Sequence, residues 1–233
     1  MEIEVLAEPD SVAGRAAASI AGEARAAVVA RKRFVMAVSG GRTPWIMLRA
    51  LARQDVPWSK VHVFQVDERI APRGDADRNF THLRESLLEH APLPSMQIHA
   101  MEVEDHDLSA AVDRYAEKLH EIAGSPPVLD LVHLGLGPDG HTASLVPGDP
   151  ALDITDASVT LTGVYQGRRR MTLTFPVLER ARRVLWVLTG GDKAAMLSRL
   201  HDRDAAIPAG RVRQDNALVL ADLAAAGRLR QEM

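Results

Sequence analysis

Short, mainly apolar runs that break off at glycine, hydroxyl or charged residues recur along this chain, with helix-forming stretches between them. Phe34-Val35-Met36-Ala37-Val38 ends at Ser39-Gly40-Gly41. Val61 to Val66 is closed by Asp67-Glu68-Arg69, and Leu129 to Leu134 runs into the glycine-rich stretch Gly135 to Gly140. Met171 to Phe175, Val184 to Leu188 and Ala217 to Ala221 continue the pattern. An apolar run without polar alternation reads as a strand buried on both faces. Between the runs, Ser11 to Arg33 reads as an Ala-rich helix with Asp10 or Ser11 as its N-cap. Pro44 to Arg53, Arg78 to His90, Leu108 to Ala123, Val177 to Ala181 and Asp192 to His201 read as further helices.

Such strands alternating with helices predict an α/β chain: a Rossmann-like open, mostly parallel sheet with helices on both faces. Residues 1–233 fit a single domain, long enough to bury a core without staples. Cysteine is absent, which excludes disulfides, Cys-ligated metal sites and a thiol nucleophile. With 28 Lys and Arg against 31 Asp and Glu, the net charge of −3 carries no bulk signal for nucleic acid. The start, Met1-Glu2-Ile3-Glu4, lacks the shape of a signal peptide, and no apolar run approaches the ~20 residues that span a bilayer. The expectation is a cytoplasmic protein with neither nucleic acid nor membrane as partner.

In open α/β sheets ligands sit outside the carboxyl ends of the strands, so functional residues are expected just after the apolar runs. Ser39-Gly40-Gly41-Arg42-Thr43-Pro44 reads as an anion cradle. Its glycines let backbone approach a ligand, the next helix offers free N–H groups, and Ser39, Arg42 and Thr43 add donors. The Gly-Lys-Ser/Thr of a nucleotide P-loop is missing. Asp67-Glu68-Arg69 places three charges at a strand end, where Asp67 suits sugar hydroxyls and Arg69 an anion or a polarised carbonyl. Thr189-Gly190-Gly191-Asp192-Lys193 echoes the first turn, and a lysine in a helix's first turn opposes the dipole unless it holds an anion. The run Arg168-Arg169-Arg170 offers another phosphate contact, or simply a solvated charged face.

Gly135-Leu136-Gly137-Pro138-Asp139-Gly140 spells the dinucleotide fingerprint G-x-G-x-x-G. Asp139 would repel a pyrophosphate, and Pro147, Gly148 and Pro150 cut the chain before the long helix that fingerprint opens. The stretch reads instead as a turn presenting Asp139 and His141 to a cleft. Histidine titrates near neutrality, so it can take a proton from water and return it to a leaving oxygen, oriented by the aspartate. No metal-ligand spacing is found among the remaining histidines, and there is no G-x-S-x-G nucleophile elbow.

Together these pieces resemble the 6-phosphogluconolactonase family, within the superfamily that includes glucosamine-6-phosphate deaminase. The resemblance rests on Ser39 to Pro44, Val66-Asp67-Glu68-Arg69, Asn79, Leu134 to Leu145, Arg170-Met171-Thr172-Leu173-Thr174 and Gly190 to Ala194, in the family's order. It implies hydrolysis of 6-phosphoglucono-δ-lactone, with no metal or organic cofactor and a small phosphorylated lactone as partner, by a chain more readily monomeric than obligately oligomeric. It implies that Ser39, Gly40, Gly41, Arg42, Thr43, Arg170 and Lys193 hold the 6-phosphate; among the three arginines it favours Arg170. His141 would be the base, Asp139 its orienter, Asp67 a hydroxyl ligand or an electrostatic tuner, and Arg69 or backbone N–H groups the oxyanion donors. Arg42 departs from the family's usual serine. The alternative, a sugar-phosphate deaminase–isomerase, carries a glutamate where this chain has Val146. A sugar-phosphate sensor would keep the cradle without needing a base.

Overall fold

The computed structural model describes residues 1–229. In chain order the main elements are β1 (Glu2–Leu6), α1 (Pro9–Arg31), β2 (Phe34–Val38), α2 (Arg42–Leu51), β3 (Val61–Gln65), β4 (Asp67–Arg69), α3 (Asn79–Leu83) and β5 (Ile98–His99). There follow α4 (Leu108–Ala123), β6 (Leu131–Leu134), β7 (Val159–Leu161), β8 (Arg170–Leu173), α5 (Phe175–Arg180), β9 (Val184–Leu188), α6 (Ala194–His201), α7 (Pro208–Arg211) and β10 (Ala217–Asp222). Seven strands form one sheet in the order β1-β10-β9-β6-β2-β3-β5, every neighbouring pair parallel. Side chains of β2, β6 and β9 are buried throughout, as the solid apolar sequences of β2 and β9 require; β6 buries His133 among its apolar residues.

Two apolar layers cover the sheet. On one face α1 lays a stripe of Val12, Ala13, Ala16, Ala17, Ile20, Ala21, Ala24 and Ala27 against Phe34, Met36 and Leu218. Alanines at this spacing let the helix axis approach the sheet and α2 closely. On the other face α4, α5 and α6 pack Leu119, Leu178 and Leu197 against Val35, Val132 and Trp186. The expected doubly covered Rossmann-like α/β sheet is the observed one.

Local departures have local causes. The long first helix begins at Pro9, with extended Glu8 ahead of it and no side-chain cap, so Asp10 and Ser11 lie inside the first turn. Proline's fixed φ suits that opening, and Asp10 there favours the dipole. The helix expected over 78–90 is α3 followed by a π-helical turn, Arg84–Leu88, where Ser86 donates its hydroxyl to the His82 carbonyl. Lys193 ends a short 3₁₀ turn, Gly191–Lys193, ahead of α6 rather than standing inside that helix.

The larger departure is a second sheet. Asp67-Glu68-Arg69 is not a loop: it is β4, which with β8 and β7 forms a three-stranded antiparallel sheet in the order β4-β8-β7. Only Val66 separates β3 in the first sheet from β4 in the second. The run at Met171 therefore belongs to this small sheet and not to the parallel one. Three-residue strands carry no readable periodicity, and β1, β5 and β7 were silent for related reasons: they are short or polar.

Candidate active site

The carboxyl ends of β2, β6 and β9 meet the edge of the small sheet around a cleft of about 330 Å³. On one wall stand Ser39, Gly40, Gly41, Arg42 and Thr43, from the turn between β2 and α2. Lys193 and Thr189 enter from the turn after β9. Asp67, Arg69 and Arg170 come from the small sheet, and His141 from the loop after β6. Of the residues expected to bind the phosphate or act in catalysis, all line this cleft except Asp139, which lies behind His141.

The two turns that echo one another in sequence touch in space: Thr43 Oγ1 and Thr189 Oγ1 are 2.6 Å apart. Beneath the first turn, the Ser39 backbone N–H donates to His133 Nδ1 at 3.3 Å. His133 is wholly buried on β6, and burial pulls its pKa down to about 4. Lys193 has a counterion of its own, Asp192, at 3.1 Å and largely exposed. Asp192 offsets the charge of Lys193 against the helix dipole, so it is the place of Lys193 in the cleft that suits it to an anion.

The register of the small sheet sets Arg69 directly opposite Arg170. The Nε of each is buried with no hydrogen-bond partner in the protein. Arg69 spends Nη1 on the Asp77 carbonyl (2.9 Å) and on Asn79 Oδ1 (2.7 Å). Burial is the main cause that lowers the pKa of Arg170, with the charge of Arg69 adding to it. Arg168 instead bonds Asp75 and Asp77, and Arg169 donates to the Thr162 carbonyl. Of the three consecutive arginines, Arg170 alone lines the main cleft.

His141 Nδ1 lies 2.5 Å from Asp139 Oδ1, which also accepts the His141 backbone N–H at 3.1 Å. This assigns the proton on Nδ1 and leaves Nε2 as the basic nitrogen. Burial opposes ionisation of Asp139, but the bonds from His141 and from the Tyr165 hydroxyl outweigh it and hold the carboxyl below its ordinary range. Gly137 makes room for the ring: a Cβ there would stand 2.1 Å from Nδ1. Gly40 does the same for Asn79, whose Oδ1 would lie 2.0 Å from an added Cβ. The loop continues as turns and a short 3₁₀ segment, Pro150–Asp153, so the helix of a dinucleotide site does not form.

Four supporting residues had no role assigned from sequence. Asn79 donates to the Asp67 carbonyl (3.0 Å), and Ser144 Oγ donates to Asp67 Oδ2 (2.6 Å). Glu68 is fully buried: it accepts the backbone N–H groups of Arg69, Asn79 and Phe80 and pairs with Arg78 Nε at 3.0 Å. It locks the α3 start beneath the cleft rather than facing a ligand. Tyr165 donates to Asp139 Oδ2 at 3.0 Å. Asn79, Glu68 and Ser144 lie within the stretches that carry the family resemblance; Tyr165 had no signal.

Among the described residues no group of three or more His, Asp or Glu side chains is placed to hold a metal ion, and no helix is long and apolar enough to cross a membrane. Fold and site together define a Rossmann-like α/β protein with a cation-rich ligand cleft at the carboxyl edge of its sheet. The family model described as glucosamine-6-phosphate isomerases/6-phosphogluconolactonase matches residues 7–220, and the chain belongs to that family. It is 37% identical to the 6-phosphogluconolactonase of Mycobacterium tuberculosis, over 97% of this chain and 98% of the relative. The Synechocystis 6-phosphogluconolactonase is 36% identical, over 85% of this chain and 84% of the relative. The structure of 6-phosphogluconolactonase from Thermotoga maritima superposes with a TM-score of 0.84 at 28% identity, covering 95% and 98% of the two chains. A monomeric glucosamine-6-phosphate deaminase superposes with a TM-score of 0.83, but at 17% identity that likeness concerns the fold alone.

Proposed function

We propose that this protein hydrolyses 6-phospho-D-glucono-1,5-lactone to 6-phospho-D-gluconate, in the oxidative branch of the pentose phosphate pathway. The reading is supported by the 6-phosphogluconolactonase relatives and carried by one observation: an Asp-oriented imidazole shares a cleft with a cradle of cations and amides. In this reading the enzyme works in the cytoplasm, more readily as a monomer than as an obligate oligomer, on a small phosphorylated lactone and with no metal or organic cofactor. Both ends of the cleft come from this one chain.

Ser39, Gly40, Gly41, Arg42, Thr43, Arg170 and Lys193 hold the 6-phosphate and set the lactone carbonyl beside His141. His141 Nε2 takes a proton from water, and the resulting hydroxide adds to the carbonyl carbon. Arg69 or backbone N–H groups receive the negative charge that develops on the carbonyl oxygen. Collapse of the tetrahedral species breaks the bond to the ring oxygen. The imidazolium returns its proton to that oxygen, which becomes the free hydroxyl of the opened acid. Asp139 keeps the ring in the Nδ1–H tautomer throughout, and Asp67 binds a sugar hydroxyl.

The deaminase alternative lacks its carboxylate: Val146 stands at that position and is buried. The test is acid release from freshly generated lactone, corrected for spontaneous hydrolysis. His141→Ala is expected to lose about 10²–10⁴-fold in kcat with phosphate binding retained. Unchanged turnover in that variant overturns the mechanism, and ammonia release from glucosamine 6-phosphate overturns the substrate.

A further inference from the structure

Tyr165 takes no part in the chemistry just described, yet it touches both ends of the cleft. We propose that Tyr165 is a positioning residue, which locks the Asp139–His141 pair and ties it to Arg170; the proposal rests on the lactonase reading.

Three contacts carry it. The hydroxyl donates to Asp139 Oδ2 at 3.0 Å, the oxygen that His141 leaves unused. The ring stands edge-on to the imidazole, 5.3 Å between centroids at 70°. The guanidinium of Arg170 lies over the same ring, 5.0 Å from its centroid. A carboxylate gripped through Oδ1 alone can swing about its Cβ–Cγ bond, and Asp139 is about one-third exposed. Holding Oδ2 as well removes that freedom and keeps Oδ1 on Nδ1. The edge contact opposes rotation of the imidazole, and the cation–π contact sets the arginine against the same reference.

Tyr165 is itself held before any substrate arrives. It begins a tight hairpin: Tyr165 N–H donates to the Arg168 carbonyl (2.9 Å) and Arg168 N–H to the Tyr165 carbonyl (3.2 Å). Gln166 and Gly167 between them have φ of 51° and 78°, as a two-residue hairpin requires. Arg168 then bonds Asp75 (3.1 Å) and Asp77 (3.0 Å) on the segment after β4. Tyr165 belongs to neither hydrophobic layer of the sheet, so its contacts serve the site and not the core. Through its hydroxyl, preorganisation of this kind acts on the chemical step; through the ring under Arg170 it acts on phosphate affinity.

The test compares Tyr165→Phe and Tyr165→Ala with wild type. Tyr165→Phe keeps the ring and loses only the hydroxyl. It is expected to lower kcat about tenfold, with KM within about twofold and the melting temperature unchanged. Tyr165→Ala also removes the surface under Arg170 and is expected to raise KM in addition. In parallel, ¹⁵N NMR of the His141 ring reads the tautomer without substrate: one Nδ1–H form in wild type, a tautomer mixture in Tyr165→Phe. A wild-type kcat and a single tautomer in Tyr165→Phe overturn the proposal. Absence of lactone turnover in wild type overturns the lactonase reading instead, and the NMR comparison still decides the role of Tyr165.

Discussion

Arg69 and Arg170 face one another as a cross-strand pair of the antiparallel β4–β8 ladder. Like charges directly opposite each other destabilise a sheet, and here each also leaves its buried Nε unsatisfied. The arrangement makes sense as one completed by an anion. Arg170→Ala is therefore expected to raise KM for the phosphorylated lactone about ten- to a hundredfold, the worth of one charge-assisted hydrogen bond. Arg168→Ala, whose partners are Asp75 and Asp77, is expected to change KM by less than about threefold. Steady-state kinetics on the two variants checks the contrast; equal effects would remove Arg170 from the phosphate site.

The hydroxyl contact between Thr43 and Thr189 joins the two glycine turns of the cradle. Thr189→Val keeps the shape and deletes the bond. KM is expected to rise about three- to tenfold, the range of one neutral hydrogen bond, with kcat nearly unchanged. A loss confined to kcat would place Thr189 in the chemical step instead.

Gly137 allows the His141 ring to lie against backbone. In Gly137→Ala the added methyl would stand 2.1 Å from Nδ1, so the ring must leave Asp139. Turnover is expected to drop toward the His141→Ala level, about 10²-fold or more, while inorganic phosphate still binds. Full activity in Gly137→Ala would show that the ring need not sit where the structure places it.

Glu68 and Arg78 form a buried ion pair with side chains 0% and 5% exposed. Removing one partner of such a pair leaves an uncompensated charge, typically costing about 3–5 kcal/mol. Arg78→Met is expected to lose stability of that order in urea unfolding, far more than an exposed pair such as Lys118–Glu121 would show on breaking. A loss below about 1 kcal/mol would mean that the carboxylate is satisfied by backbone donors alone.

His133 supplies a pH dependence of stability. Its pKa falls from an ordinary 6.5 to about 4 because burial penalises the charged ring. Between those values the unfolded chain binds the extra proton and the folded chain does not. Stability is thus fully present above pH 6.5 and declines as pH falls toward 4. His99, lowered to about 4 chiefly by burial, contributes in the same window. His133→Gln keeps an acceptor for the Ser39 N–H and cannot protonate, so its urea midpoint is expected to fall less between pH 7 and pH 5. Parallel curves for variant and wild type would sink this account.

What could be read without coordinates was whatever the chain writes locally. The solid apolar runs of β2 and β9 announced buried parallel strands, because only a strand covered on both faces dispenses with polar alternation. The turns after them announced the cleft, because glycines, hydroxyls and helix N–H groups lie within six residues of one another there. Asp139 and His141 were legible as a pair because only Gly140 separates them.

Tertiary structure alone decided what depends on pairing over distance. Nothing in Asp67-Glu68-Arg69 shows that it is a strand, since its partner is a segment about a hundred residues later. Arg69 opposite Arg170, and Glu68 turned inward to Arg78 while Asp67 and Arg69 face the cleft, follow from that register; Tyr165 on Asp139 is a separate long-range contact between two loops. The physical reason is geometric. Strand pairing places residues by which backbone hydrogen bonds close, and a one-residue slip would send every side chain of β4 to the opposite face.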